Sequence, residues 1–585
     1  MAKVVAILFF TFVVLCRISH VRSDASNHRY KEGDIVPFYV AKVGPYKNPS
    51  ETYGYYDLPF CMPDRVKEEK GALSEVLIGD RLVSAPYRLE FRMNKNSEVL
   101  CKKTLKKEEV AKFRSIVQKD YYFEMHYDGL PIWGFIGEVR QEGHHPSDNK
   151  YYMYTHIHFS IFYNKDRVIE IIARTEHDSF VDLTDDNEVD VEFLYTTEWM
   201  HTDTPFEKRM DKYHESSSWP HWFSILNSCV PILLLTGFLA TILKRVLQND
   251  FIKYVHDQES AKDEEETGWK RLHGDVFRFP KYKSLLAAAL GSGTQLLALI
   301  VFIFILAFFG VFYPYNRGAL AKALVMIYVL TSVFAGYTAT RFYCQLEGTK
   351  WVSNLLLTGC LSWGPLFLTF CYLNIVAIAY NVTSALPFGK VMVMVLIWTP
   401  VTLPLLVLGG IAGKKNKAEF QAPCHTSKYP REIPSLPWHR RAISHIAMAG
   451  FLPSCVVCTE LYYTFACLWG YRIYSSYSIL FIVFIILLIV TVITTMALTY
   501  FQLAAEDYEW WWRPFLYGGS AGIYICAYCL YYYYARSDMS GFLQISFFFG
   551  FTACICYGFF LMLGTVGFFA ALLFVRHIYG SIKCE

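Results

Sequence analysis

The chain has 585 residues, more than one ordinary domain holds, with 54% hydrophobic residues, 17% aromatics and only 18% charged residues. Its formal net charge of +3 leaves no basic footprint for nucleic acid. Most charges precede Trp222 or fall in two later loops, so a polar front and an apolar remainder are to be read separately.

The first residues have the form of a secretory leader. Lys3 supplies a positive start, Val4 to Cys16 is an apolar run too short to span a bilayer, and Val21 and Ser23 suit a cleavage site, giving a signal peptide over 1–23. Residues 24–220 then read as a lumenal β-rich, sandwich-like domain. Tyr151 to Tyr163 alternates, with Met153, Ile157, Phe159 and Ile161 on one face and Tyr152, Tyr154, His156, His158 and Ser160 on the other. Asn164 to Arg167 forms a turn, Val168 to Ala173 the returning strand, and Lys106 to Asp120 a helix. Cys61 and Cys101 are the only cysteines between the leader and the first apolar span, and in an oxidising lumen they pair with each other.

Nine stretches are long enough to cross a hydrocarbon core of about 30 Å: 222–243, 285–312, 319–340, 353–379, 389–412, 445–468, 476–502, 514–535 and 541–575. The fold class is thus a multispanning α-helical membrane protein of about nine helices, the first separated by a cytosolic loop (244–284) from an eight-helix region over 285–575, with a cytosolic tail at 576–585. The loops and tail assigned to the cytosol carry about 21 Lys and Arg, whereas the short lumenal loops carry Arg317, Lys390, Arg472 and Arg536. This is the bias expected of cytosolic loops. Asn381-Val382-Thr383 matches a glycosylation sequon but abuts the membrane, so it is expected to stay unused.

Few residues promise chemistry. Glu460 lies deep in a span, where an acid needs a partner or a wet cavity; it reads either as a pathway group or as a polar bond that fixes helix packing. Glu506-Asp507-Tyr508-Glu509-Trp510-Trp511-Trp512-Arg513 sets acids, aromatics and a base at one cytosolic edge, as an interfacial anchor or as a contact surface for a partner. Gly518 and Gly522 have the spacing that lets helices approach closely, serving internal packing or contact with a client helix; Gly409, Gly410, Gly413, Gly564 and Gly567 offer similar surfaces. His156 and His158 could bind a metal, but a solvated strand face is the better reading, and the Cys-x-x-Cys pairs Cys455/Cys458 and Cys526/Cys529 lie in spans. No phosphate loop, zinc helix or nucleophile elbow occurs, so no enzyme, cofactor or metal is expected. The terminal Lys583-Cys584-Glu585 resembles a retention signal read by the coatomer.

Several further motifs carry a family resemblance. They are Gly54-Tyr55-Tyr56-Asp57-Leu58-Pro59-Phe60-Cys61, Tyr154-Thr155-His156 with Phe159, Trp269-Lys270 followed by His273-Gly274-Asp275-Val276-Phe277-Arg278, Pro430-Arg431-Glu432-Ile433-Pro434, Pro437-Trp438, the Glu506 to Arg513 block and Lys583-x-Glu585. Nearly end to end, the chain resembles the nonaspanins, the transmembrane nine or endomembrane protein 70 family. Leu452-Pro453-Ser454-Cys455 departs from the Pro-Phe-Gly expected there, while Glu460 fits the family's position. The resemblance implies residence in Golgi and endosome membranes, retention through the coatomer, and sorting of client membrane proteins with glycine-rich spans. The competing reading is a secondary transporter or channel with Glu460 on its pathway, although no clear inverted repeat supports it.

Overall fold

A computed structural model describes residues 28–581, apart from 64, 69–80, 142–148, 176–178, 211–217, 260–267, 313–318, 417–419, 421, 425, 436, 439–440 and 470–476. The leader, Lys583 and Glu585 lie outside the described residues.

The N-terminal domain is built from β1 (Phe38–Pro45), β2 (Val83–Ser84), β3 (Lys95–Leu105), α1 (Lys107–Gln118), β4 (Tyr121–Tyr127), β5 (Leu130–Phe135), β6 (Gly137–Gln141), β7 (Asn149–Tyr154), β8 (His156–Asn164), β9 (Arg167–Thr175), β10 (Phe180–Asp182) and β11 (Val189–His201). They form three sheets, in the orders β2-β1-β4-β5, β10-β7-β6 and β3-β11-β8-β9. The β-rich expectation holds, and so does the β8–β9 hairpin, with Asn164 opposite Arg167. One helix starts where expected: Glu109 turns back to accept the Lys106 amide at 3.0 Å, closing the first turn of α1. Phe113, Met125, Met153, Phe159 and Ile161 meet in one apolar core.

The alternating run divides at Thr155. β7 pairs with β6 and β10, while β8 pairs with β9 and, in parallel, with β11. Both faces of β7 and β8 are largely covered: Met153 and Phe159 on one side, Tyr152, Tyr154, His156 and Ser160 on the other. The solvated face expected at His156 is therefore absent. His156 is buried with its Nε2 2.8 Å from Thr196 Oγ1, and His158 Nε2 lies 3.4 Å from Glu198 Oε2, so β11 supplies a polar partner to each.

The bundle comprises α2 (Ser218–Glu259), α3 (Lys283–Phe308), α4 (Ala319–Gln345), α5 (Trp351–Ala379), α6 (Phe388–Lys415), α7 (Ala442–Leu468), α8 (Tyr477–Ala504), α9 (Arg513–Gly519), α10 (Ala521–Arg536) and α11 (Phe542–Gly580). Among the described residues, eight of these are long and apolar enough to cross a membrane. The stretch expected as a span at 514–535 is instead divided between α9 and α10, which meet at Ser520, whose hydroxyl turns back to the Tyr517 carbonyl at 2.7 Å. The first helix outruns its expected end at 243 and continues to Glu259. Asp250 holds that extension by accepting from Trp269 Nε1 at 3.0 Å and from the Tyr500 hydroxyl at 2.6 Å.

Prolines inside the spans are tolerated where side chains replace lost bonds. Pro365 has no N–H to offer the Leu361 carbonyl one turn earlier. The Tyr557 hydroxyl of α11 donates to that carbonyl at 2.8 Å, and Tyr328 of α4 donates to the neighbouring Ser362 carbonyl at 2.5 Å.

The N-terminal domain is latched to one end of the bundle. The Asn48 side chain donates to the Ser540 carbonyl at 2.8 Å and accepts the Ser540 amide at 3.0 Å. The Ser50 amide donates to Gln544 Oε1 at 3.0 Å. Thr383 donates its amide to the Thr52 carbonyl at 2.8 Å, and the two hydroxyls lie 2.6 Å apart. The α5–α6 and α10–α11 loops thus share one docking strip. The Thr383 hydroxyl, an essential part of the sequon, is buried and occupied there.

Candidate functional site: the cap opposite the N-terminal domain

At the other end of the bundle the sequence-singled block Glu506 to Arg513 joins α8 to α9 and closes against the segment Gly268–Lys281. Glu506, at the end of α8, adopts a left-handed φ of 58°. Its carboxylate accepts the Gly268 amide at 3.2 Å and pairs with Arg271 Nη1 at 3.6 Å. Asp507, 1% exposed, pairs with Arg513 Nη2 at 2.5 Å and accepts the Glu509 amide at 3.1 Å.

The three tryptophans behave unlike a membrane-interface belt. Trp510 and Trp511 are buried and stack with centroids 4.8 Å apart. Trp510 Nε1 donates to the Val276 carbonyl at 2.8 Å, and Trp512 Nε1 to the Lys281 carbonyl at 3.1 Å. The indoles of Trp510 and Trp512 therefore satisfy loop carbonyls far away in sequence, Trp511 packs between Trp510 and Phe420, and the block is an internal brace. Tyr508 sits among Glu509, Asp275 and Asp507; burial, then these acids, push its phenol above its ordinary range.

Around the brace, Asp275 pairs with Arg278 at 2.7 Å and accepts the Ser427 hydroxyl at 2.9 Å, while Arg431 Nη1 donates to the Arg271 carbonyl at 2.9 Å. The last turn of α11 is held too: the Tyr579 hydroxyl donates to the Trp269 carbonyl at 2.6 Å, and Arg576 lies 4.5 Å from the Phe420 ring centre. Thus the residues of Trp269-Lys270, His273 to Arg278 and Glu506 to Arg513, singled out separately in the sequence, assemble into one cap. What sequence reasoning missed is Asp250, Tyr500 and Tyr579, apolar-flanked residues whose role appears only when three helix ends converge.

Glu460 is 1% exposed and faces α2 beside Cys229, where the neighbouring Thr459 and Ser228 hydroxyls lie 2.6 Å apart. Gly518 and Gly522 are buried against α11. A Cβ at 518 would stand 2.2 Å from the Leu563 carbonyl oxygen, and one at 522 would stand 2.8 Å from that of Cys556. Gly409, Gly413, Gly564 and Gly567 likewise meet backbone oxygens of neighbouring helices within 3.0 Å. Hence these small faces are spent on internal packing. By contrast, Gly558 has no atom within 4 Å of its Cβ position.

This contrast makes a matched test. Gly518→Ala is expected to lower thermal stability by about 1–3 kcal/mol through overpacking. Gly558→Ala should be neutral, or gain up to about 1 kcal/mol from helix propensity. Equal melting of the two detergent-solubilised variants would refute the packing role of Gly518.

Among the described residues, no group of three or more His, Cys, Asp or Glu is placed to hold a metal. Beyond the cap, a small cavity of about 20 Å³ in the N-terminal domain is lined by Tyr55, Phe60, Tyr87, Phe123 and Phe193 among others.

Comparison with known proteins gives a consistent picture. The family model for endomembrane protein 70 matches residues 52–542. Transmembrane 9 superfamily member 3 of Arabidopsis thaliana is 70% identical over 585 residues, covering 99% of both chains. Transmembrane 9 superfamily member 1 of Pongo abelii is 42% identical, covering 95% of this chain and 94% of its own. A putative phagocytic receptor 1b of Dictyostelium discoideum is also 42% identical, over 99% of each. No solved structure matches significantly. With the match spanning the domain, the latch and the cap, the chain belongs to the endomembrane protein 70 family, the nonaspanins.

Proposed function

We propose that this protein is a Golgi and endosomal sorting factor. Its N-terminal domain faces the lumen, its cap faces the cytosol, and the coatomer retains it by reading Lys583 and Glu585. The observation that carries the reading is the opposition of the two ends: the domain is latched at the start of α11, while the tail leaves that same helix at the cap. The Lys and Arg bias toward the cap loops supports the same orientation. A compact ammonium beside two carboxylates gives a receptor complementary charges to recognise.

Sorting involves contact with client membrane proteins in the lipid bilayer. Gly518 and Gly522 are closed to a client helix by α11, whereas Gly364 on α5 and Gly558 on α11 leave space for one. Burial of Glu460 against α2 favours a packing role over a place on a transport pathway.

The test is Lys583→Ala combined with Glu585→Ala. Coatomer binding should weaken and the protein should move to later compartments, with thermal stability unchanged, as is usual for changes in the last few residues of a chain. Residues appended after Glu585 should act alike by displacing the terminal carboxylate. Unchanged Golgi residence in both variants would overturn the reading.

A further inference from the structure

Pro430 to Pro434 and Pro437-Trp438, singled out in the sequence, lie in the strap that leads from the cap into α7, and the proposed sorting role does not use them. The strap is pinned at both ends. At one, the Ser427 amide donates to the Gly274 carbonyl at 2.7 Å, and Arg278 Nη2 donates to the Ser427 carbonyl at 3.0 Å. At the other, the Trp438 carbonyl accepts the Ser444 hydroxyl at 2.9 Å. Between these pins, residues 430–435 and 437 are exposed and form neither helix nor strand. Among these described residues hydrogen bonding is limited to Arg431, whose Nη1 donates to the Arg271 carbonyl at 2.9 Å. Pro434 and Pro437 have no N–H to bring to a helix or a sheet, and Pro434 biases Ile433 before it to an extended backbone.

We propose that Arg431, Pro434 and Pro437 form one reading edge for a soluble cytosolic partner with an SH3-type groove, lined by aromatics and ending in an acidic pocket. These residues recur at every third position, and a polyproline II helix has three residues per turn. In that conformation they stand on one edge over about 19 Å. In the sequence each of the two prolines follows an aliphatic residue, and Ile433 is 37% exposed. Proline-rich segments with this spacing dock in aromatic-lined grooves. The proposal rests on the reading that the cap faces the cytosol.

Arg431 gives the edge its direction. It stands at one end of the three, so a carboxylate that pairs with it fixes which way the strap lies in the groove. A guanidinium carries five N–H donors and matches a carboxylate with two parallel bonds. The one bond spent on Arg271 is exposed, so exchanging it for a partner's carboxylate costs little. A polyproline II segment has no internal hydrogen bonds, which leaves its carbonyls free to accept from the groove. The prolines already fix φ and the pins hold both ends, so little conformational freedom is left to lose on binding.

The experiment uses the full chain in lipid nanodiscs and, as probe, a purified SH3 domain that reads Arg-x-x-Pro-x-x-Pro peptides, with binding followed by biolayer interferometry. Saturable binding is expected. Arg431→Ala, Pro434→Ala and Pro437→Ala should each weaken it at least about tenfold, while Lys428→Ala, which removes a nearby charge off the edge, should bind as the parent does. Arg431→Ala also removes a bond to the cap, so the two proline variants, whose melting should match the parent's, carry the test by themselves. Absence of saturable binding overturns the proposal. So does binding that Pro434→Ala and Pro437→Ala leave unchanged, or that Lys428→Ala weakens equally, since that marks unspecific charge attraction. Trypsin applied to sealed vesicles with their cytosolic face outward tests the orientation separately. Cleavage after Lys428 is expected, and its protection overturns the cytosolic reading and the partner's access, whatever the nanodiscs bind.

Discussion

Asp507→Ala is expected to be severely destabilising, by about 3–5 kcal/mol. The carboxylate is 1% exposed, 2.5 Å from Arg513, and also accepts the Glu509 amide. Removing it strands a guanidinium that is only 19% exposed. The cost of that uncompensated charge exceeds what the pair contributed when intact. Removing the second charge should therefore recover part of the loss, so Asp507→Ala with Arg513→Met should be more stable than Asp507→Ala alone. Thermal unfolding in detergent measures both. A single variant as stable as the parent, or a double variant no better than the single, would refute the account.

Loss of the disulfide joining Cys61 to Cys101 should cost about 2–4 kcal/mol. The bond spans a sequence separation of 40 with a Cα–Cα distance of 6.1 Å, tying the Tyr55–Asp57 turn to β3. β3 is an edge strand held on one side by β11 alone, so the cross-link also secures an exposed margin of the domain. Cys101→Ser and Cys61→Ser should each lower the melting temperature of the N-terminal domain. Cys61→Ser with Cys101→Ser should lose no more than either single change, because one bond is removed in all three. Mass spectrometry of non-reduced peptides gives the direct check, and either thiol found free in most molecules would refute the pairing.

The architecture was legible where one physical signal dominates. Apolar length marks the spans, and the pairing of Cys61 with Cys101 follows from the lack of other cysteines near them. Alternation places Phe159 and Ile161 in the core, but it does not reveal that the opposite face of β8 is covered too, with Thr196 of the neighbouring β11 beside His156, so His156 reads as solvated when it is buried. The end of α2 was missed for a related reason. Gln248, Asn249 and Asp250 look like a loop until Trp269 and Tyr500 donate to Asp250. Trp510 and Trp512 look like interfacial aromatics for want of the carbonyls that occupy their indoles. Small residues at 518 and 522 announce a close approach, yet only the three-dimensional arrangement identifies α11 as the neighbour.

A single helix reaches both functional faces. α11 runs from Phe542 to Gly580, and its 39 residues make a rod of about 58 Å. Gln544 at one end takes part in the latch, and Tyr579 at the other is bonded into the cap. Any tilt imposed on the N-terminal domain acts on a lever whose far tip carries the tail. The latch and the cap are thus joined by one uninterrupted helix, with no linker between them.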